Sequence, residues 1–173
     1  MRDYTKIEYL YVVLSLRIWL ESCDLPEKDS LLKRANEIAN QPQWPDRIRE
    51  AIAGQDRQRN WQAERCAKWL DMDISSEIIT LIKKSPLEHI WYAIGLLKRP
   101  EYTQQIITLY LEKIPLYSIA TGMGTLLGLG KEYENHRYLD TILQGLTDCP
   151  GQGLEFIKTG LKSPVTRNRN MAC

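Results

Sequence analysis

Almost every apolar run in this chain keeps helical spacing and ends at a proline or glycine, while strand signals are nearly absent. No stretch alternates apolar and polar residues for long, and no Asn-Gly or Asp-Gly hairpin turn occurs. Ile7, Leu10, Tyr11, Leu14 and Ile18 form one stripe. Leu31, Leu32, Ala35, Ile38 and Ala39 form a second, after Asp29-Ser30. Ile48, Ala51 and Ile52 make a short helix bounded by Pro45 and Gly54, and a longer helix runs from Asp56 to Met72. Ile78, Ile79 and Ile82 follow Ser75-Ser76, a natural cap. Leu87, Ile90, Trp91, Ile94 and Leu97 form the cleanest pattern and predict a face buried between helix layers. Ile106, Ile107, Tyr110, Leu111 and Ile114 stop at Pro115. Leu139, Ile142, Leu143 and Leu146 stop at Pro150, and Leu154, Ile157 and Leu161 end before Pro164. The expected fold is all-α, with about ten helices joined by short links.

One local pattern occurs twice. Lys84-Ser85-Pro86-Leu87 and Lys162-Ser163-Pro164-Val165 both read as helix starts, with serine accepting from a first-turn N–H and proline at the first helical position. The prolines lie 164 − 86 = 78 positions apart. Half of that, about 39 residues, is the length of a two-helix repeat unit. The last such helix has only Val165 to Cys173 to run in, which points to a truncated array or to an end completed by a partner.

The charge balance removes some classes of function. Lys+Arg number 23 and Asp+Glu 22 in 173 residues, so nothing global draws the chain to nucleic acid or an anionic membrane. Cys23, Cys66, Cys149 and Cys173 are scattered without a C-x-x-C, which predicts reduced thiols in a cytoplasmic protein. The apolar segment Ile7–Leu20 is interrupted by Arg17 and lacks a small-residue cleavage site, so it reads as a first helix rather than a signal or a membrane span. Nine Tyr and five Trp against one Phe place polar-tipped aromatics at half-wet positions.

The helix from Asp56 to Met72 carries two faces. Ala63, Cys66, Ala67 and Leu70 share one and invite close packing. Trp61, Arg65, Lys68 and Trp69, joined by Arg57, share the other. That mixture suits internal cation–π pairing, and it equally suits stacking on bases with phosphate contact. These five residues are the candidate binding face. Thr121 to Gly130 is glycine-rich, but no strand precedes it and no Gly-Lys-Ser/Thr follows, so it reads as a helix thinned by small residues and stopped at Gly128 or Gly130. His136 and Asp140, four apart, predict a surface hydrogen bond within one helix. Asn168 is expected to bond a carbonyl of the preceding turn or of the adjacent helix, and Arg169 to brace the next layer.

Ser163-Pro164-Val165 followed by Arg169-Asn170-Met171-Ala172 resembles the second-helix start of HEAT-like repeats, and Gln144 to Cys173 is similar to bacterial HEAT-like (armadillo-type) repeat proteins. The resemblance implies a right-handed α-solenoid of antiparallel helix pairs, one domain over residues 1–173. It is specific for fold rather than function; the function expected is a non-catalytic scaffold that binds a protein partner on a concave face. The alternative is a nucleic-acid-binding repeat protein, similar in plan to the HEAT-like alkylpurine DNA glycosylases. No catalytic residue maps onto this sequence, and no cofactor or metal is implied.

Overall fold

The computed structural model describes residues 6–124 and 128–173. Eleven α-helices and two short 3₁₀ turns make up the regular structure among these residues. The chain divides into two compact units, Met1–Ile79 and Thr80–Cys173, and the division falls within one helix.

In the first unit, α1 (Ile7–Ser22) pairs with α2 (Lys28–Ala39), and α3 (Trp44–Ala53) pairs with α4 (Arg57–Trp69). α1 also packs on α3 and α4. Ile7, Leu10, Val13, Leu14 and Leu20 are buried on α1, with Trp44, Ile48 and Ile52 on α3 and Ala63, Cys66 and Ala67 on α4. The small residues on α4 form a packed face, as their spacing predicts. Two side chains fix the links. Trp44 Nε1 donates to the Ile38 carbonyl at 2.6 Å. Asn60, fully buried, turns its amide onto the carbonyls of Ala51, Ile52 and Gly54 at the C-terminal end of α3, where Ala51 also accepts from the Gly54 N–H. Asp56 caps α4 by accepting from the N–H groups of Gln58 and Arg59. α5 (Ser75–Lys84) leads out of this unit.

In the second unit, a 3₁₀ turn (Ile90–Tyr92) runs into α6 (Ala93–Leu97), followed by α7 (Pro100–Lys113), α8 (Leu116–Thr121), α9 (Glu134–Leu146), α10 (Leu154–Lys162) and α11 (Thr166–Ala172). α9 is the hub, in contact with α6, α10 and α11. Gly145 lets it approach α6: a Cβ there would lie 3.2 Å from the Ile94 Cα and 2.5 Å from a Leu97 methyl.

Several expectations need correction. Neither Ser-Pro pair opens an α-helix at its proline. Ser163 Oγ accepts from the Val165 N–H and closes a turn first, so α11 starts at Thr166. After Ser85 the chain makes a turn and then the 3₁₀ segment. Ile90 is buried, but Trp91 is 65% exposed, so the predicted layer face is split. On α10 the packed side is Phe156, Thr159 and Gly160, while Leu154 and Leu161 are exposed. The reason is the close approach of α11: a Cβ on Gly160 would sit 2.8 Å from the Ala172 Cβ. The glycine-rich stretch is not one helix. α8 stops at Thr121, and Gly128 and Gly130 take φ of +58° and +122°, left-handed backbone that favours glycine. Thr125 to Leu127 of that stretch lie outside the described residues.

Candidate functional site

α4 follows α1 closely along its length. Its candidate face is organised around Tyr11. The Tyr11 ring lies 5.3 Å from Trp61, tilted, and 5.5 Å from Trp69, stacked. The Arg65 guanidinium sits over both indoles, at 5.4 and 5.9 Å from their centroids. Arg17 Nη2 donates to the Trp69 carbonyl at 3.1 Å. Arg59 pairs with Glu8 at 3.2 Å. Burial pushes the carboxyl of Glu64 up, against the pull of Arg65 and Lys68.

The structure thus brings Trp61, Arg65 and Trp69 together, four residues apart on one side of α4. Their indole faces are turned to Arg65 and Tyr11, the internal cation–π arrangement weighed from the sequence. Arg57 and Lys68 are exposed. Trp61 keeps 44% of its surface open, whereas Trp69 is half-buried.

A second surface was not read from the sequence. α1 is apolar all the way round, and its pairing with α2, α3 and α4 leaves one side uncovered. Val12, Leu16 and Trp19, at i, i+4 and i+7, stand exposed there. A ladder of large apolar groups on consecutive turns differs from the single exposed side chains common on protein surfaces. Trp61 stands beside Tyr11, the residue that precedes Val12. The signal was present in the sequence: Ile7–Leu20 carries apolar residues on every side with charges only at Glu8 and Arg17. The stripe of Ile7, Leu10 and Leu14 was legible as core. The opposite stripe was not separated from it, because apolar periodicity cannot distinguish core from uncovered surface.

In the second unit the acid–histidine pair has a different role from the one expected. His136 is buried and does not bond Asp140 on the surface of its own helix. Its Nδ1 lies 2.5 Å from Asn168 Oδ1. Asn168 Nδ2 donates to the His136 carbonyl (3.0 Å) and to Asp140 Oδ1 (2.5 Å). Asn168 Oδ1 therefore accepts, from Ser163 Oγ at 2.8 Å and from His136 Nδ1, which carries the proton. Arg167 Nε completes the set with a charged hydrogen bond to Asp140. The expectation that Asn168 bonds a carbonyl of the adjacent helix holds. Arg169 donates to the Ser163 carbonyl and the Thr166 hydroxyl, close to its own helix start.

Ser163, His136 and Asn168 are buried, Asp140 and Arg167 half-buried, and the Ser163 hydroxyl is held by Asn168 rather than aimed at solvent. The cluster clasps α11 onto α9, with the Ser163 hydroxyl also 3.4 Å from His136 Nδ1. Burial also pushes the Cys66 thiol up to about 12, which leaves it protonated at neutral pH. Among the described residues no group of three or more His, Cys, Asp or Glu side chains is placed to hold a metal, and no helix is long and apolar enough to cross a membrane. No family model, no curated protein and no solved structure matches this chain.

Proposed function

We propose that this protein is a HEAT-like helical-repeat interaction module that binds a protein partner, and that α1 supplies the binding face. The observation that carries this reading is the uncovered stripe of Val12, Leu16 and Trp19. Hydrophobic side chains on three successive turns gain about 25 cal/mol for each Å² removed from water, and the chain's own helices leave that gain unused. Contacts within the helix pairs α1–α2, α3–α4 and α10–α11 are consistent with a repeat-like arrangement and support this reading.

The test is site-specific photo-crosslinking in the native cells, with the crosslinker at Leu16. A discrete adduct is expected, competed by added protein but not by the Val12→Ser/Leu16→Ser/Trp19→Ser variant. Equal competition by that variant would remove α1 from the role.

A second reading rests on Trp61, 44% exposed on the helix that also carries the exposed cations Arg57 and Lys68. A single strand stacked there would lose affinity steeply with salt, and Trp61→Ala would weaken it by about 1–3 kcal/mol. Titration of labelled DNA at two salt concentrations decides it. Absence of binding at low salt would end that reading.

A further inference from the structure

We propose that the occupant of the α1 face is an amphipathic helix that carries lysine or arginine beyond one end of its apolar seam. This rests on the reading of α1 as the interaction face. Val12, Leu16 and Trp19 rise along α1 to Cys23, the next position of the same stripe, about 16 Å from end to end. An exposed i, i+4, i+7 ladder is the surface into which another helix sets its own ridges. The described residues hold no β-strand, so recognition by strand addition has no edge to use.

Charge narrows the class. The stripe runs into the turn that bears Asp24, Leu25 and Glu27, all exposed. Between Ile18 and Leu32 the acids are Glu21, Asp24, Glu27 and Asp29 and the only base is Lys28, so 1 − 4 gives a net charge of −3. Lys28 Nζ is bonded to the Glu21 carbonyl, and no ion pair among the described residues engages Asp24, Glu27 or Asp29. A partner with cations at this end is steered in and held in register, while an anionic lipid surface or an acidic helix is repelled. A second copy fits poorly. Laid antiparallel, it would meet these acids with its own Lys6–Glu8 end, where Arg59 is paired with Glu8 and the charges of Lys6, Arg59 and Glu8 sum to 2 − 1 = +1 against −3. Laid parallel, it would set acid against acid.

The test uses three labelled four-turn peptides with the same leucine seam, one with terminal lysines and arginines, one with glutamates in their place, and one scrambled. Fluorescence anisotropy is read against the full chain. The basic peptide should bind at least about tenfold more tightly than the acidic one. Leu16→Ser/Trp19→Ser, checked for folding by circular dichroism, should abolish the difference, and Asp24→Lys/Glu27→Lys should reverse the charge preference. Equal binding of the basic and acidic peptides would overturn the charge class while leaving α1 as the face. Binding of the basic peptide that survives both variants would place it elsewhere and overturn the proposal. No binding by any peptide to a monomeric protein would overturn the proposal and the reading beneath it. A dimer in sedimentation that Leu16→Ser/Trp19→Ser dissociates would assign the face to a second copy.

Discussion

Asn168→Ala removes the centre of the clasp between α9 and α11, and its cost follows from the contacts. The wild-type amide is fully buried and makes four hydrogen bonds. Truncation orphans two buried donors, the His136 Nδ1–H and the Ser163 hydroxyl, and removes one donor from the Asp140 carboxylate. An orphaned buried group costs about 1–3 kcal/mol, and a bond to a charged group contributes about 1.5–3 kcal/mol. Rotation of the Ser163 hydroxyl, and water entering the gap, recover part of this. The net expectation is a loss of about 3–5 kcal/mol, at the severe end for a single substitution. Asn170 is the control, since it lies on the same helix and is exposed. Asn170→Ala carries the same change in helix propensity without the network, so it should stay within about 0.5 kcal/mol of the parent. Urea unfolding followed by far-UV circular dichroism reads both variants. Equal midpoints for Asn168→Ala and Asn170→Ala would show that the buried network does not hold α11, and the reasoning would fail.

Ile90→Ala should cost about 2–5 kcal/mol, because Ile90 is buried, while Trp91→Ala should change stability little; equal effects in thermal melts would contradict the split face. Asn60→Ala should cost about 1–3 kcal/mol by removing a buried donor shared by the carbonyls at the end of α3, as measured by denaturant midpoint. Burial raises the ionisation of the Cys66 thiol to about 12 and also raises that of the Tyr110 phenol. Both groups hold their protons more tightly folded than unfolded. Their stabilisation is therefore complete below the unfolded thiol's ordinary value, about 8.5, and is lost as pH rises beyond it. A urea midpoint that falls between pH 8 and pH 11 is expected, and a flat profile would count against the burial of both groups.

How much was legible depended on which force decided each element. The end of α7 was legible at Pro115, and Ile106, Ile107, Tyr110 and Ile114 are buried at the spacing expected, whereas Leu111 of the same stripe is exposed. The two faces of α4 were legible from helical spacing alone. The start of α11 was not, since Ser163 spends its hydroxyl on a turn that only the position of Asn168 makes favourable. The packed side of α10 escaped because Thr159 and Gly160, which lie beside Phe156 on it, carry no apolar signal, and Gly160 is set by the close approach of α11. His136 and Asp140 could be paired in sequence, but their shared partner lies about 30 residues further on and is invisible to local spacing. Among the candidate binding residues, the clustering of Trp61, Arg65 and Trp69 followed from helix geometry. The part played by Tyr11 did not, because it depends on how α1 meets α4.

Hydroxyl-radical footprinting of the full chain, alone and with the basic amphipathic peptide, tests the central claim most directly. In the free protein Val12, Leu16, Trp19 and Leu25 should be labelled readily, with Leu14 and Trp44 silent as buried references. Added peptide should protect the first four as a block and leave Trp91 and Tyr117 unchanged. A stripe already protected in the free protein, or one that stays fully labelled while the peptide is bound, would contradict the assignment of α1 as the face this protein offers to a partner.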